Sequence, residues 1–361
     1  MARVWDLFCR VIDNFGDIGV CWRLARDLAK RGEAVRLWTD DASALSWMAP
    51  KGCEGVQVLP WSLSETPTDC GDVVIEAFGC DPPEAFVRRM ANRDVAPLWI
   101  NLEYLSAQPF AAQNHAMRSP QLSGAGMGLT KWFFHPGFAA GTAGLIREPD
   151  LQTRQLAFDA LAWRASQGLT ALAGERSVSL FCYANAALPE LFDALALQPT
   201  LLLATPGAAT EQLCQLLGPT LRRGCVRGIA LPWLSQLDFD HLLWSCDINF
   251  VRGEDSWVRA QWASRPFVWQ PYVQSDSAHH AKLHAFLDLY LAAASPALGR
   301  HVRALWACWN KLPNARTAQA NAPIAFPDFA QWQGHQRGWR QTLSEQADLT
   351  TQLLGFARDT R

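Results

Sequence analysis

The sequence predicts an α/β protein built from two successive doubly wound domains that face one another across a cleft. Three observations predict it. The chain has 361 residues, beyond the usual size of one domain. Apolar runs of strand length alternate with helical patterns in two separate series, as parallel sheets covered on both faces require. In each series a turn rich in glycine and charge leads from a strand into a helix, the place where such sheets bind ligands.

The first series opens with the apolar run Val4–Ile12. Val20–Lys30 follows as a helix, with Val20, Leu24, Ala25 and Leu28 at helical spacing. Val35–Trp38, Val56–Leu59, Asp72–Phe78 and Leu98–Glu103 read as further strands. Pro82 and Pro83 open a helix over Glu84–Asn92, because proline is tolerated in a first helical turn. The second series has strands at Val178–Tyr183, Thr200–Ala204, Cys225–Leu231, Ile248–Val251 and Pro266–Tyr272. Helices at Leu188–Leu197, Thr210–Leu217, Asp238–Ser245 and Ser256–Ala263 alternate with them, and longer helical patterns fill 278–294, 298–310 and about 328–357. The polar stretch Glu148–Arg154 is the expected connection, between an N-terminal domain over 1–150 and a C-terminal domain over 151–339.

Composition narrows the function. A formal net charge of −2 gives no basic field for a nucleic-acid backbone. The N-terminus carries Arg3, Asp6 and Arg10 where a signal peptide needs an apolar core, and no apolar run approaches a membrane span. The 10 cysteines contain no CxxC pair and several lie in apolar runs, which points to a reducing cytoplasm rather than a disulfide framework. Tryptophan occurs 17 times; such side chains can line sugar or protein contacts, although a single one more often fills core.

Two constellations carry the chemistry. Asp13-Asn14-Phe15-Gly16-Asp17-Ile18-Gly19 follows the first strand. It lacks the G-x-G-x-x-G fingerprint, and its two acids make it a poor pyrophosphate site. Carboxylates here suit a cationic acceptor, or the removal of a proton from one; the plain alternative is that Asp13 or Asp17 caps the following helix. Glu76 and Glu103, near strand ends, are candidates to join them. In the second series, Arg252-Gly253-Glu254-Asp255-Ser256 leads into a helix. A helix N-terminus attracts anions, Arg252 adds a planar donor fork, Gly253 allows close backbone approach and Ser256 offers a hydroxyl, which together make a diphosphate cradle. Glu254, Asp255 and Ser256 are also good capping residues in their own right. Upstream, Gln236 and Phe239 offer an amide and a flat face for a base. Phe181, Tyr183 and Tyr272 stand at strand ends of the same domain.

Other signals are weaker. Gly124–Gly128 reads as a flexible loop. His279, His280 and His284 include an i, i+4 pair, yet no HExxH glutamate or third ligand accompanies them, so no metal site is assigned.

Asp13–Gly19 (DNFGDIG), Ser179–Asn185 (SLFCYAN), Trp99–Leu105 (WINLEYL) and Cys246–Ala263 (CDINFVRGEDSWVRAQWA) resemble the EarP family of bacterial protein-arginine rhamnosyltransferases, which modify elongation factor P. The likeness runs through nearly the whole chain, with Ala184 standing where an acidic residue is expected. It implies a GT-B fold of two Rossmann-like domains with an interdomain cleft, the last helix, near 340–361, returning to the first domain. It implies dTDP-β-L-rhamnose as donor substrate, no cofactor and no metal, and an arginine of elongation factor P as acceptor, with inversion at the sugar. It also implies Asp17 as general base, Asp13 as a second essential acid and Glu254 as a catalytic carboxylate. Phe181, Tyr183, Gln236, Phe239, Arg252, Gly253, Asp255, Ser256 and Tyr272 would surround the donor, and Asp13, Asp17 and Glu103 the acceptor. The rival readings are a GT-B enzyme with another donor or acceptor and a non-catalytic nucleotide-sugar or translation-factor binder; a nicotinamide dehydrogenase lacks its glycine fingerprint.

Overall fold

The computed structural model describes residues 2–12, 15–170, 172–185, 187–273, 278–312 and 324–360. The chain divides into two compact units, Met1–Pro149 with Ser344–Arg361, and Asp150–Leu343.

In the first unit β1 (Val4–Cys9), α1 (Gly16–Lys30), β2 (Ala34–Thr39), α2 (Leu45–Met48), β3 (Val56–Pro60), β4 (Val73–Ala77), α3 (Glu84–Ala91), β5 (Leu98–Leu102), α4 (Phe110–Asn114), β6 (Met117–Pro120) and β7 (Thr130–Phe134) follow one another. They build a seven-stranded sheet in the order β3-β2-β1-β4-β5-β7-β6. Only β6 runs against its neighbour; the other pairs are parallel. The order reverses between β1 and β4, so the connections leaving these two strands part to opposite sides and open a crevice at their carboxyl ends. Alternating side chains supply two cores. Leu7, Cys9, Ile75, Ala77 and Leu102 pack with Ile18, Cys21 and Leu24 of α1, while Phe8, Trp38, Val74 and Trp99 pack with Phe86 and Met90 of α3. Burial on both faces explains why these strands read as continuous apolar runs.

The second unit contains α5 (Leu151–Leu156), α6 (Ala160–Ser166), β8 (Arg176–Leu180), α7 (Leu188–Leu195), β9 (Thr200–Ala204), α8 (Ala208–Leu217), β10 (Arg222–Arg223), β11 (Val226–Ala230), α9 (Gln236–Ser245), β12 (Ile248–Arg252), α10 (Asp255–Ala263), β13 (Phe267–Gln270), α11 (Ala278–Tyr290), α12 (Pro296–Trp309) and α13 (Phe329–Ser344). Its sheet has the order β10-β11-β9-β8-β12-β13, and the same reversal falls between β8 and β12. The pattern over about 328–357 is two helices, because Asp348 caps a new one, α14 (Leu349–Asp359), by accepting from the Thr351 N–H. Leu349, Leu353 and Ala357 of α14 join the α1 side of the first unit's core.

Some expectations change. Gly124–Gly128 is the packed turn of the β6–β7 hairpin, where Gly128 N–H donates to Gln121 O at 3.0 Å. A Cβ on Gly126 would meet Val87 and Trp99 at 3.1 and 3.2 Å, so the loop sits directly on the α3 layer. Within the polar connection, Glu148 is buried and meets Arg26 at 3.2 Å and Arg23 at 3.8 Å. All 10 cysteines are free thiols, and no helix among the described residues is long and apolar enough to cross a membrane.

Asp240 of α9 and Arg259 of α10 form a buried two-pronged pair, with Nε–Oδ1 2.9 Å and Nη2–Oδ2 2.7 Å. Removing one partner strands the other charge away from water. Asp240→Ala should therefore lower unfolding free energy by about 3–5 kcal/mol in denaturant titration, and Asp240→Leu combined with Arg259→Met should recover most of it. A loss in the double variant equal to the sum of the two single losses would show that the two charges do not depend on each other.

Candidate functional site

Each unit has candidate site residues of its own at the carboxyl ends of the strands that flank its order reversal. In the second unit β8 ends at Leu180 and continues into Phe181 and Tyr183, while β12 ends at Arg252. Strand pairing sets Leu180 beside Phe250, so the two exits are neighbours. The Arg252 guanidinium lies over both rings, 4.6 Å from the centroid of Phe181 and 4.3 Å from that of Tyr183. Tyr183 is fixed from behind by its N–H, which donates to the Gln270 amide oxygen at 2.9 Å. It meets Tyr272 edge-on at 5.7 Å, and Phe181 meets Phe239 edge-on at 5.5 Å. Phe239 also packs against the apolar cluster around Leu201, Leu203 and Leu242, so one ring serves core and rim together.

The turn after Arg252 is fixed by backbone. Gly253 has φ +63°, a conformation in which a Cβ would be strained, and its carbonyl accepts the Trp269 indole N–H at 2.8 Å. Glu254 occupies the cap position of α10 without a side-chain capping bond, and Asp255 is the first helical residue. Gln236, the first residue of α9 and nearly buried, donates from its amide to Asp255 Oδ2 at 3.4 Å. The two segments that the sequence offered separately, 236–239 and 252–256, thus converge. The Ser256 hydroxyl donates to the Arg252 carbonyl oxygen and accepts the Arg252 N–H at 3.1 Å, with 3% of the residue exposed. That hydroxyl closes the turn. The features here that suit an anion are the guanidinium and the N–H groups at the start of α10.

The first unit's candidate residues have the opposite character. Asp17 stands in the first turn of α1, is 3% exposed, and accepts the Ile12 N–H at 2.8 Å through Oδ2. This bond folds the loop after β1 back onto the helix start. Asp13 lies outside the described residues. Glu76 stands apart from them: it faces the α3 side, taking Lys131 Nζ at 2.6 Å and the Trp99 indole N–H at 3.1 Å, though burial pushes its pKa above the usual carboxylate range. Glu103, just past β5, is half-buried and accepts the Asn101 amide N–H at 2.7 Å. Beside it, Tyr104 stacks on Phe78 with centroids 4.4 Å apart and planes at 15°. The sequence reading passed over both rings; the only local signal was an aromatic residue next to a strand-end acid. Among the described residues no group of three His, Cys, Asp or Glu is arranged to hold a metal ion, the histidines of α11 included.

The profile of the elongation-factor P (EF-P) rhamnosyltransferase EarP family matches residues 5–358. The chain is 43% identical over 382 residues to a protein-arginine rhamnosyltransferase of Pseudomonas putida, covering 99% of this chain and all of that one. It is 40% identical over 378 residues to the protein of the same name from Pseudomonas aeruginosa, covering 98% and 99%. Among solved structures it is similar to one on the structural basis of EarP-mediated arginine glycosylation of translation elongation factor EF-P, with TM-score 0.68 and 32% identity over 99% of this chain and 100% of that one. The glycosyltransferase of kitacinnamycin shares the fold, with TM-score 0.53 at 13% identity over 99% of both chains, and the fold class is GT-B.

Proposed function

Because the chain belongs to the elongation-factor P rhamnosyltransferase family, we propose that it is a protein-arginine rhamnosyltransferase that moves L-rhamnose from dTDP-β-L-rhamnose to an arginine side chain of elongation factor P. The observation that carries this reading is the family match over residues 5–358. The reaction is placed in the cytoplasm and needs no divalent metal.

The donor belongs to the second unit. The Arg252 fork and the N–H groups opening α10 take the diphosphate, whose charge grows as the sugar leaves. Phe181, Tyr183, Phe239 and Tyr272 enclose the nucleoside and Gln236 reads the base edge. The acceptor belongs to the first unit, where Asp13, Asp17 and Glu103 bind and orient the guanidinium. That group is protonated at neutral pH and its lone pairs are delocalised, so it attacks poorly unless held in line. As the guanidino nitrogen bonds to the anomeric carbon, the bond from that carbon to the diphosphate oxygen breaks and the configuration inverts. A carboxylate is a weak base for a guanidinium, so Asp17 takes the proton late, once the bonded nitrogen has become acidic. Glu254 stabilises the oxocarbenium-like sugar. Fixed charge from Arg252 and the helix end acts where a divalent ion would otherwise neutralise the leaving group.

Intact-mass spectrometry of elongation factor P incubated with this protein and dTDP-rhamnose should show a gain of one deoxyhexose that fragmentation maps to an arginine. No gain beside a working family member would overturn the donor or the acceptor. Asp17→Asn keeps an oxygen for the Ile12 N–H, so it should abolish turnover with dTDP-rhamnose affinity unchanged; weakened donor binding would make Asp17 a donor residue. Arg252→Ala should weaken dTDP binding about 10–100-fold in titration calorimetry, the range for a charge-assisted hydrogen bond, and an unchanged affinity would remove Arg252 from the cradle.

A further inference from the structure

Several buried acids in this protein have a cation of their own. Asp6 meets Arg36 at 2.6 Å, Glu76 meets Lys131 at 2.6 Å, Glu148 meets Arg26 at 3.2 Å and Asp240 meets Arg259 at 2.7 Å. Glu103 is different. It is half-buried and oriented by the Asn101 amide, yet among the described residues no lysine or arginine pairs with it. Asn101 is itself held, since its Oδ1 accepts the Gly79 N–H at 3.2 Å. The carboxylate is therefore fixed in direction at the carboxyl edge of the sheet.

The aromatic pair beside it is equally prepared. Phe78 has φ +59°, a left-handed conformation that bulky residues rarely adopt. The strain is maintained by the Phe78 N–H, which donates to Leu102 O at 2.7 Å, and by the Gly79 bond. The turn lays the Phe78 ring flat against Tyr104, which remains 41% exposed. Phe78 also packs on the apolar cluster of the sheet face that α1 covers, and Asp17 stands in the first turn of that helix. β5 lies two strands from β1, roughly 10 Å across the sheet edge.

We infer that Tyr104, backed by Phe78 and flanked by Glu103, is the subsite that reads the acceptor's guanidinium and sets the preference for arginine over lysine. This rests on the acceptor reading given above. A guanidinium is planar and weakly hydrated; it lies flat on an aromatic face while its edge N–H groups meet a carboxylate. A lysine ammonium is compact and strongly hydrated and gains less from a flat ring. The second unit already displays the same chemistry within the chain, with Arg252 at 4.3 Å from the Tyr183 centroid.

The test uses the full-length protein and three variants, Tyr104→Leu, Tyr104→Phe and Phe78→Leu, with circular dichroism to confirm folding. Acceptor concentration is varied in the mass-spectrometric transfer assay, and dTDP affinity is measured separately. Tyr104→Leu should raise the acceptor KM about tenfold, within the range of a cation–π contact, with dTDP affinity unchanged. Tyr104→Phe should restore most of the loss, and Phe78→Leu should fall between them. In parallel, saturation-transfer NMR compares arginine amide with lysine amide; wild type should favour arginine amide and Tyr104→Leu should lose the preference. An unchanged KM in Tyr104→Leu, or a loss that Tyr104→Phe does not restore, overturns the inference. Should wild type transfer no rhamnose, the donor or acceptor reading fails, and the amide comparison still decides whether Tyr104 reads a guanidinium.

Discussion

Asp240 and Arg259 meet in a two-pronged ion pair where water is excluded. A pair of this kind tolerates no sliding of one helix on the other, because each displaced hydrogen bond would leave a bare charge. The consequence reaches the site through helical periodicity. Gln236 is one turn before Asp240 on α9, and Asp255 is one turn before Arg259 on α10. Side chains four apart share a face, so the buried pair also sets Gln236 against Asp255 at the two helix starts. Arg252, Gly253 and Glu254 enter α10 from that fixed end. The candidate side chains at the two helix starts thus rest on a structural ion pair one turn further along each helix.

The same reversal of strand order serves opposite electrostatics in the two units. Both sheets reverse their order at one point, and both place a helix start beside it. In the first unit Asp17 sits in that helical turn and offsets the positive end of α1, which disfavours an anion. In the second unit the residue before the turn is Arg252, already stacked on two rings, and the positive end of α10 is reinforced. The sign of the ligand is a property of three or four side chains, and the fold supplies only the crevice.

The elements legible in the sequence were those buried on both faces, such as β1, β4 and β9, whose apolar runs leave little ambiguity. β6 and β7 lie toward the sheet edge, half-exposed and mixed in polarity, and gave no such run. Residue chemistry carried the 252–256 segment as far as an anion site, but not the direction of the Ser256 hydroxyl, which depends on the turn geometry at Gly253. Phe78 and Tyr104 are 26 positions apart. Their contact follows from the pairing of Ala77 with Leu102, a register that no local pattern reveals.

The first unit is closed by the last residues of the chain. Leu349, Leu353 and Ala357 complete its core, and Arg31 holds Asp348 at 2.8 Å. During synthesis the 150–343 segment is made before those residues exist, an interval of roughly 10–40 s at bacterial elongation rates. The unit translated first is therefore the one that finishes folding last, and until then it presents an unfilled apolar stripe beside α1. A chain cut between Leu343 and Leu349 would keep every element of the second unit and leave that stripe of the first one uncovered.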